Sequence, residues 1–280
     1  MNIKIISDST CDLPADLLSK HNISIMPLTI VKNGQSFQDC VNITPADIFN
    51  HVASGGDLCS TAALNTAEYT EMFSKYSAEY DGVIHINISS EFSSCHQNAR
   101  IAAADFDNVR VIDSRNLSTG QGLVVLKAVE LATSCEDLDE IESTLVAYTE
   151  KVEASFLLSR LDYMVKGGRC SAVVALGANL LNLKPCIEVK NGKMSVVKKY
   201  RGSYEKCLAS YVKDRLSNRD DLDKTTLFVT RTPVDDACLH AVETTVSQYN
   251  DFANTYWSEA GCSVSCHCGP GTLGVLFVRK

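Results

Sequence analysis

The chain is 280 residues long and carries 26 lysines and arginines against 34 aspartates and glutamates, a net charge of −8. At roughly 100–200 residues per domain this length makes two modest domains or one large one. A content of 45% hydrophobic and 21% charged residues excludes wholesale disorder. An acidic balance with no basic block argues against nucleic acid and anionic membranes as partners. A polar start, MNIKIISDST, and the lack of a long apolar run point to a cytoplasmic protein.

In chain order, residues 3–6 are a short apolar run expected as a buried strand, followed by Ser7, Asp8, Ser9 and Thr10 and a short helix from Leu13. Residues 28–31 and 35–38 flank Asn33-Gly34, a strong hairpin turn. Thr44-Pro45 reads as the cap and first residue of a helix reaching Ser54, where Gly55-Gly56 stops it. Ser60 and Thr61 precede a helix over 66–80 and a strand over 82–88. The segment SSEFSS leads to a helix from His96 and a strand over 109–112, then through Asp113 and Ser114 to a helix over 120–133. Strands alternating with helices predict a parallel sheet covered by helices.

An acidic helix over 136–152 closes this pattern, and the domain boundary is placed near residue 153, giving 1–153 and 154–280. Beyond it lie an apolar run at 156–158 and a helical turn at 161–166 closed by Gly167-Gly168. A second hairpin, 186–190 with 193–197, turns at Asn191-Gly192. A helix over 204–216, a strand over 226–230, a helix over 234–249 and a strand over 274–278 complete the chain. Gly269, Gly271 and Gly274 spell G-x-G-x-x-G, but a dinucleotide site needs a long helix and a continuing βαβ unit behind it, and only six residues remain.

The twelve cysteines, in a chain without an export signal, are expected to be reduced thiols acting as small hydrophobes. The dense group Cys262, Cys266, His267 and Cys268 fits no standard zinc spacing, so no metal is expected. More informative is where the hydroxyls fall. Four clusters, Ser7/Ser9/Thr10, Ser60/Thr61, Ser89/Ser90/Ser93/Ser94 and Ser114/Ser118/Thr119, follow strands or open helices. At the carboxyl edge of a parallel sheet such groups and free helix N–H groups make a donor-rich anion site; equally, serine and threonine cap helices. Asp8 and Asp113 at the same strand ends are general bases or acceptors for neighbouring hydroxyls, and His267 is a cleft residue or an ordinary packed histidine. Lys166-Gly167-Gly168-Arg169 reads either as a capped helix end or as a cationic loop for an anion or a partner.

Taken in order, SDST at the N-terminus, STAAL around Thr61, ISSEFSS with Ser93, VIDS at 111–114, LDYMVKGGR at 161–169, LLNLKP at 180–185, KYRG at 199–202 and HCGPGTLG at 267–274 resemble the DegV family of fatty-acid-binding proteins. The resemblance implies a two-domain α/β fold, an N-terminal parallel-sheet α/β/α domain and a C-terminal mixed-sheet α/β domain, with a long-chain fatty acid between them. Thr61 and Ser93 would hold its carboxylate, with His267 close by. Arg169 and Arg201 would serve the head group or docking to a separate fatty acid kinase, which forms an acyl phosphate from ATP. Ser7, Asp8, Ser9, Ser60, Ser89, Ser90, Phe92, Asp113, Ser114 and Gly269 would support the pocket. The resemblance implies no cofactor, no metal, no catalysis by the chain itself, and only transient membrane contact for lipid exchange. Phe92-Ser93-Ser94-Cys95 departs from the family's leucine-serine-glycine-threonine, and Cys170 and Cys186 replace aliphatic residues; Phe92 is placed to alter the acyl preference. The alternative is an enzyme, a serine hydrolase or small-molecule phosphotransferase using the Ser93/Thr61 edge, although the chain lacks a nucleophile elbow and a phosphate-binding loop. A lipid-responsive regulatory module would share the pocket.

Overall fold

The structure, a computed structural model, describes residues 1–175, 183–249 and 251–280. The chain opens with β1 (Ile3–Asp8), a 3-10 turn at Ser9–Cys11, α1 (Ala15–Lys20) and β2 (Ser24–Met26). A hairpin of β3 (Thr29–Lys32) and β4 (Gln35–Gln38) follows, then α2 (Pro45–Ala53) and β5 (Ser60–Ala62). Next come α3 (Thr66–Glu79), β6 (Gly82–Asn87), α4 (Cys95–Ala103), β7 (Val109–Asp113), α5 (Ser118–Ser134) and α6 (Leu138–Thr149). The second half runs through β8 (Val152–Leu157), α7 (Asp162–Gly167), α8 (Ser171–Val174), β9 (Leu183–Lys190), β10 (Lys193–Arg201) and α9 (Tyr204–Leu216). It ends with β11 (Leu222–Arg231), α10 (Asp236–Ser247), β12 (Asn254–Glu259), α11 (Cys262–Cys268) and β13 (Leu273–Arg279).

Three sheets result. The first is parallel, in the order β2-β1-β6-β7; the second is a mixed six-stranded sheet, β10-β9-β8-β13-β11-β12. This is the α/β class expected, a parallel sheet in one half and a mixed sheet in the other. Both asparagine-glycine pairs turn their hairpins with positive φ at each residue, 51° and 74° at Asn33-Gly34 and 51° and 79° at Asn191-Gly192, the mirror-image turn that matches strand twist. Thr44 and Asp47 form a reciprocal capping box at the start of α2, with Pro45 in the first turn.

The third sheet, β4-β3-β5, is antiparallel and adds an unexpected strand, β5, to the expected hairpin of β3 and β4. Ser60 and Thr61 read locally as the approach to a helix, yet β5 pairs with β3, Ile30 opposite Thr61. Thr61 therefore does not stand on the edge of the parallel sheet with the other hydroxyls. The acidic helix also stops sooner than its pattern suggests, at Thr149, because Val152 begins β8 and pairs with Val278. Two further elements, β12 and α11, fill a stretch in which local pattern indicates none.

The helix α5 joins the halves. Its first three turns are buried on nearly all sides, as an apolar helix must be when both faces have partners. It touches β1 and β6 on one side and β8, β11 and β13 on the other. One apolar cluster accordingly runs from Ile84 and Ile112 through Val124 and Val125 to Phe156 and Leu276. Ten of the twelve cysteines are buried and all stand as free thiols, in keeping with their use as small hydrophobes.

Candidate functional site

An apolar cavity of about 150 Å³ opens where the parallel sheet, the three-stranded sheet and α11 meet. β5 brings Thr61 and Ala62, Ala63 follows just beyond it, and the loop after β6 brings Ile88, Phe92, Ser93 and Ser94. From the second half come Met194 of β10, Arg169 beyond α7, and Ser263, Val264, His267 and Cys268 of α11. Leu117, Val264 and Cys268 also wall a second, narrower void of about 30 Å³ that leads toward Ala154, Phe156 and Leu276. A mainly apolar lining that carries a few hydroxyls and one imidazole suits a largely apolar ligand with a polar head.

Among the lining groups, Thr61 Oγ1 lies 2.9 Å from His267 Nε2. Burial, and then the nearby Arg169 guanidinium, push His267 down to about 4, so the ring is neutral near pH 7. Its Nδ1 is buried and has no partner among the described residues. A bare lone pair there is cheaper than a bare N–H, so the tautomer that fits carries its proton on Nε2 and donates to Thr61. The Thr61 hydroxyl is then free to donate to a ligand. Among the described residues the Ser93 hydroxyl donates to Cys95 Sγ, at 3.1 Å, a weak acceptor that an anionic oxygen would displace.

Gly167 explains how the imidazole fits. A Cβ on Gly167 would lie well inside contact distance of His267 Nδ1. Gly167→Ala is expected to push the ring off Thr61 and destabilise the fold by about 1–3 kcal/mol, as overpacking does. Loss of the imidazole Nε2 shift on Thr61→Ala in wild type, but not in the variant, would confirm the displacement by NMR. An unchanged spectrum would refute it.

A folded-state value near 4, against 6.5 for the free group, also makes a pH statement. Below pH 6.5 the unfolded chain takes up a proton that folded His267 refuses, so stability is complete above that pH and is lost as pH falls toward 4. The loss from this group is at most about 3 kcal/mol. Asp12, raised by burial to about 8, works in the opposite sense, so the test is a difference. The urea stability of wild type relative to His267→Gln should fall between pH 6.5 and pH 4 and stay level above pH 6.5.

Of the residues singled out from sequence, Thr10, Thr61, Phe92, Ser93, Ser94, Arg169, His267 and Cys268 line the cavity together. The remaining hydroxyls are engaged elsewhere. Ser7 bonds the Ile86 carbonyl, Ser9 the Asp39 carboxylate, Ser89 the Gly192 carbonyl, Ser90 the Asp113 carboxylate and Ser114 the Asn116 carbonyl. Ser60 is exposed on β5. Asp8 is fully buried, raised by desolvation, and accepts from Thr10, Gln121 and the Ile88 N–H. Gly269 ends α11 at a φ of 74° against Tyr163. Arg201 is exposed at the end of β10 and does not line the cavity. In the LLNLKP segment, residues 180–182 lie outside the described residues, and Leu183, Lys184 and Pro185 open β9.

One group was missed. Ser263 lines the cavity, is 4% exposed, and its hydroxyl has no partner among the described residues. A buried hydroxyl without a partner is costly unless something else receives it. Its sequence context, between two cysteines in an unassigned stretch, carried no signal.

A family model described as "Uncharacterised protein, DegV family" matches residues 2–280. The chain belongs to the DegV family. A DegV domain-containing protein of Clostridium acetobutylicum is 33% identical over 282 residues, covering 99% of each chain. Among solved structures, a DegV family protein from Thermus thermophilus, described for its fatty acid binding, is 26% identical with a TM-score of 0.89 and full coverage of both chains. A DegV lipid-binding protein from Thermotoga maritima is also 26% identical, with a TM-score of 0.83 and full coverage. No described helix is long and apolar enough to cross a membrane.

Proposed function

We propose that this DegV protein is a cytoplasmic fatty-acid carrier, without catalysis of its own, that holds a long-chain fatty acid and presents its carboxylate to a separate fatty acid kinase. The observation that carries this reading is the make-up of the cavity: a mainly apolar lining that holds Thr61, bonded to His267, together with Ser93 and Ser263, and that shares Leu117, Val264 and Cys268 with the void toward Phe156 and Leu276. Relatives described as binding fatty acids support it. In this reading residues 1–153 supply the hydroxyls at Thr61 and Ser93, and residues 154–280 complete the acyl pocket.

A buried CH₂ contributes about 0.8 kcal/mol, so a long tail supplies roughly 10 kcal/mol gross. Donors to a charged oxygen add about 1.5–3 kcal/mol each, enough to orient the head without a tight salt bridge. The two voids are smaller than the roughly 300 Å³ of ordinary small-molecule sites. The tail therefore has to part the side chains at Leu117, Val264 and Cys268, and flexible Met194 at the rim can repack around it. A hydrolase reading fares worse, because His267 is bonded to Thr61 and Ser93 to Cys95, which leaves Ser93 without a base.

Mass spectrometry of the ligand extracted from denatured protein after bacterial expression tests the proposal. A stoichiometric long-chain fatty acid is expected; an empty protein that also fails to take up added fatty acid would overturn it. Covalent labelling of Ser93 by a fluorophosphonate would bring back the hydrolase. For the kinase, Arg169→Ala should lower acyl-phosphate formation more than fatty-acid binding, since the Arg169 side chain is at the exposed rim and donates to the Gly167 carbonyl at 2.6 Å. Equal losses would put the arginine inside the pocket instead. Arg201→Ala, tested by kinase pull-down, addresses docking alone.

A further inference from the structure

The start of α11 carries a second feature, unconnected with the cavity's hydroxyls. Cys262, fully buried at the first position of that helix, has its Sγ 3.9 Å from Sγ of Cys40, which is exposed on the turn after β4. The two cysteines are 222 residues apart, yet their register is held closely. Asp39, the neighbour of Cys40, accepts the N–H groups of Cys262 at 2.8 Å and Ser263 at 3.2 Å, and the Ser9 hydroxyl at 2.7 Å. Cys40 has a φ of 57°, a left-handed conformation that L side chains rarely adopt. Gly261 has no side chain to hold the Cys40 sulfur off, since a Cβ there would be 3.3 Å from it.

We propose that Cys40 and Cys262 are a peroxide-sensitive thiol pair that closes into a reversible disulfide, stapling the turn after β4 to the helix that carries Ser263 and His267. The sulfurs close from 3.9 Å to the roughly 2.05 Å of a disulfide, a movement within reach of an exposed turn. The Cys40 thiolate, the one open to solvent, attacks an oxygen of hydrogen peroxide. The O–O bond breaks, Cys40 becomes a sulfenic acid, and the released hydroxide leaves as water with the proton Cys40 gave up. Sulfur of Cys262 then attacks that of Cys40, the S–S bond forms, and the sulfenic oxygen departs as a second water with the Cys262 proton. Two electrons from the two thiols have reduced one peroxide. The hydrogen bond with Cys40, then burial and the Asp39 carboxylate, push the Cys262 thiol up and keep it protonated until then, so the exposed partner reacts first. Transient, sensing disulfides are the kind expected in a reducing compartment.

The same three residues, Asp39, Cys40 and Cys262, bring ligand atoms within 4.8 Å of one another, as a metal would need. The oxygens of Asp39 are already accepting three hydrogen bonds, which favours the disulfide. The effect on the pocket rests on the fatty-acid reading; the linkage does not. Tying down the first residue of α11 makes local opening beside Ser263 and His267 harder and should slow ligand exchange.

The test uses the full chain, reduced, desalted and treated with hydrogen peroxide, which is then removed. Non-reducing peptide mapping is expected to find one peptide linked through Cys40 and Cys262, restored by dithiothreitol, absent in Cys40→Ser and unaffected in Cys135→Ser. Release of a dansyl-labelled fatty acid should be about tenfold slower from the linked form than from the reduced one. Cys40 oxidised without linkage, linked to another copy of the chain, or protected with Cys262 from alkylation by one equivalent of zinc would each overturn the proposal. A linked protein with unchanged release would overturn its coupling to the pocket. A protein that links but binds no fatty acid in either form would instead refute the carrier reading and leave the linkage standing.

Discussion

Thr61→Ala is expected to weaken fatty-acid binding by about 1.5–3 kcal/mol, roughly tenfold to more than a hundredfold, with the fold intact. The side chain is small and sits in a short outer strand, so its removal leaves little cavity. What it removes is the partner of His267 Nε2 and, in the proposed reading, a donor to the head group. Ser93→Ala should act in the same direction with a similar size, and Thr61→Ser should restore most of the loss, because the hydroxyl matters and the methyl does not. Titration of each variant with a fluorescent fatty acid reads the effect. Unchanged affinity in both alanine variants would remove Thr61 and Ser93 from the head-group site and shift attention to Ser263.

Asp39→Ala should cost about 3 kcal/mol of stability, although Asp39 does not line the cavity. Its carboxylate is 2% exposed and receives two backbone N–H groups of α11 and one hydroxyl. Alanine strands those donors in a place where water does not easily follow, and unfastens α11 from the turn after β4. For a chain of this size the midpoint of thermal unfolding should drop by roughly 6–10 °C. Asp39→Asn, which keeps one acceptor oxygen, should lose less. A loss below about 1 kcal/mol in urea unfolding of Asp39→Ala would mean that α11 holds its place without the carboxylate.

These two expectations concern residues that differ in how readable they were. Thr61 and Ser93 stand in hydroxyl-rich segments whose order along the chain already resembled the DegV family. Asp39 sits in an unremarkable polar turn. Its role depends on α11, whose sequence CSVSCHC has no helical period and no local cap. Such a segment becomes helical because a carboxylate 223 residues away satisfies its first N–H groups. The same remoteness hid Ser263 and the Cys40–Cys262 pair.

Some of the molecule was determined by the sequence alone. Asn33-Gly34 and Asn191-Gly192 dictate their hairpins because few other residue pairs tolerate two successive positive φ angles. Thr44, Pro45 and Asp47 set the start of α2 by hydrogen bonds that reach no further than three residues. The alternation of apolar strand and helix set the parallel sheet, since only such a sheet buries those strands on both faces. The tertiary structure decided the rest. It moved Thr61 from the presumed sheet edge to β5, opposite Ile30, and committed Ser7, Ser9, Ser89, Ser90 and Ser114 to structural acceptors. It also made a helix of residues whose own preferences are weak. A hydroxyl's type says what it can bond, but which partner it meets is settled by packing between segments hundreds of residues apart.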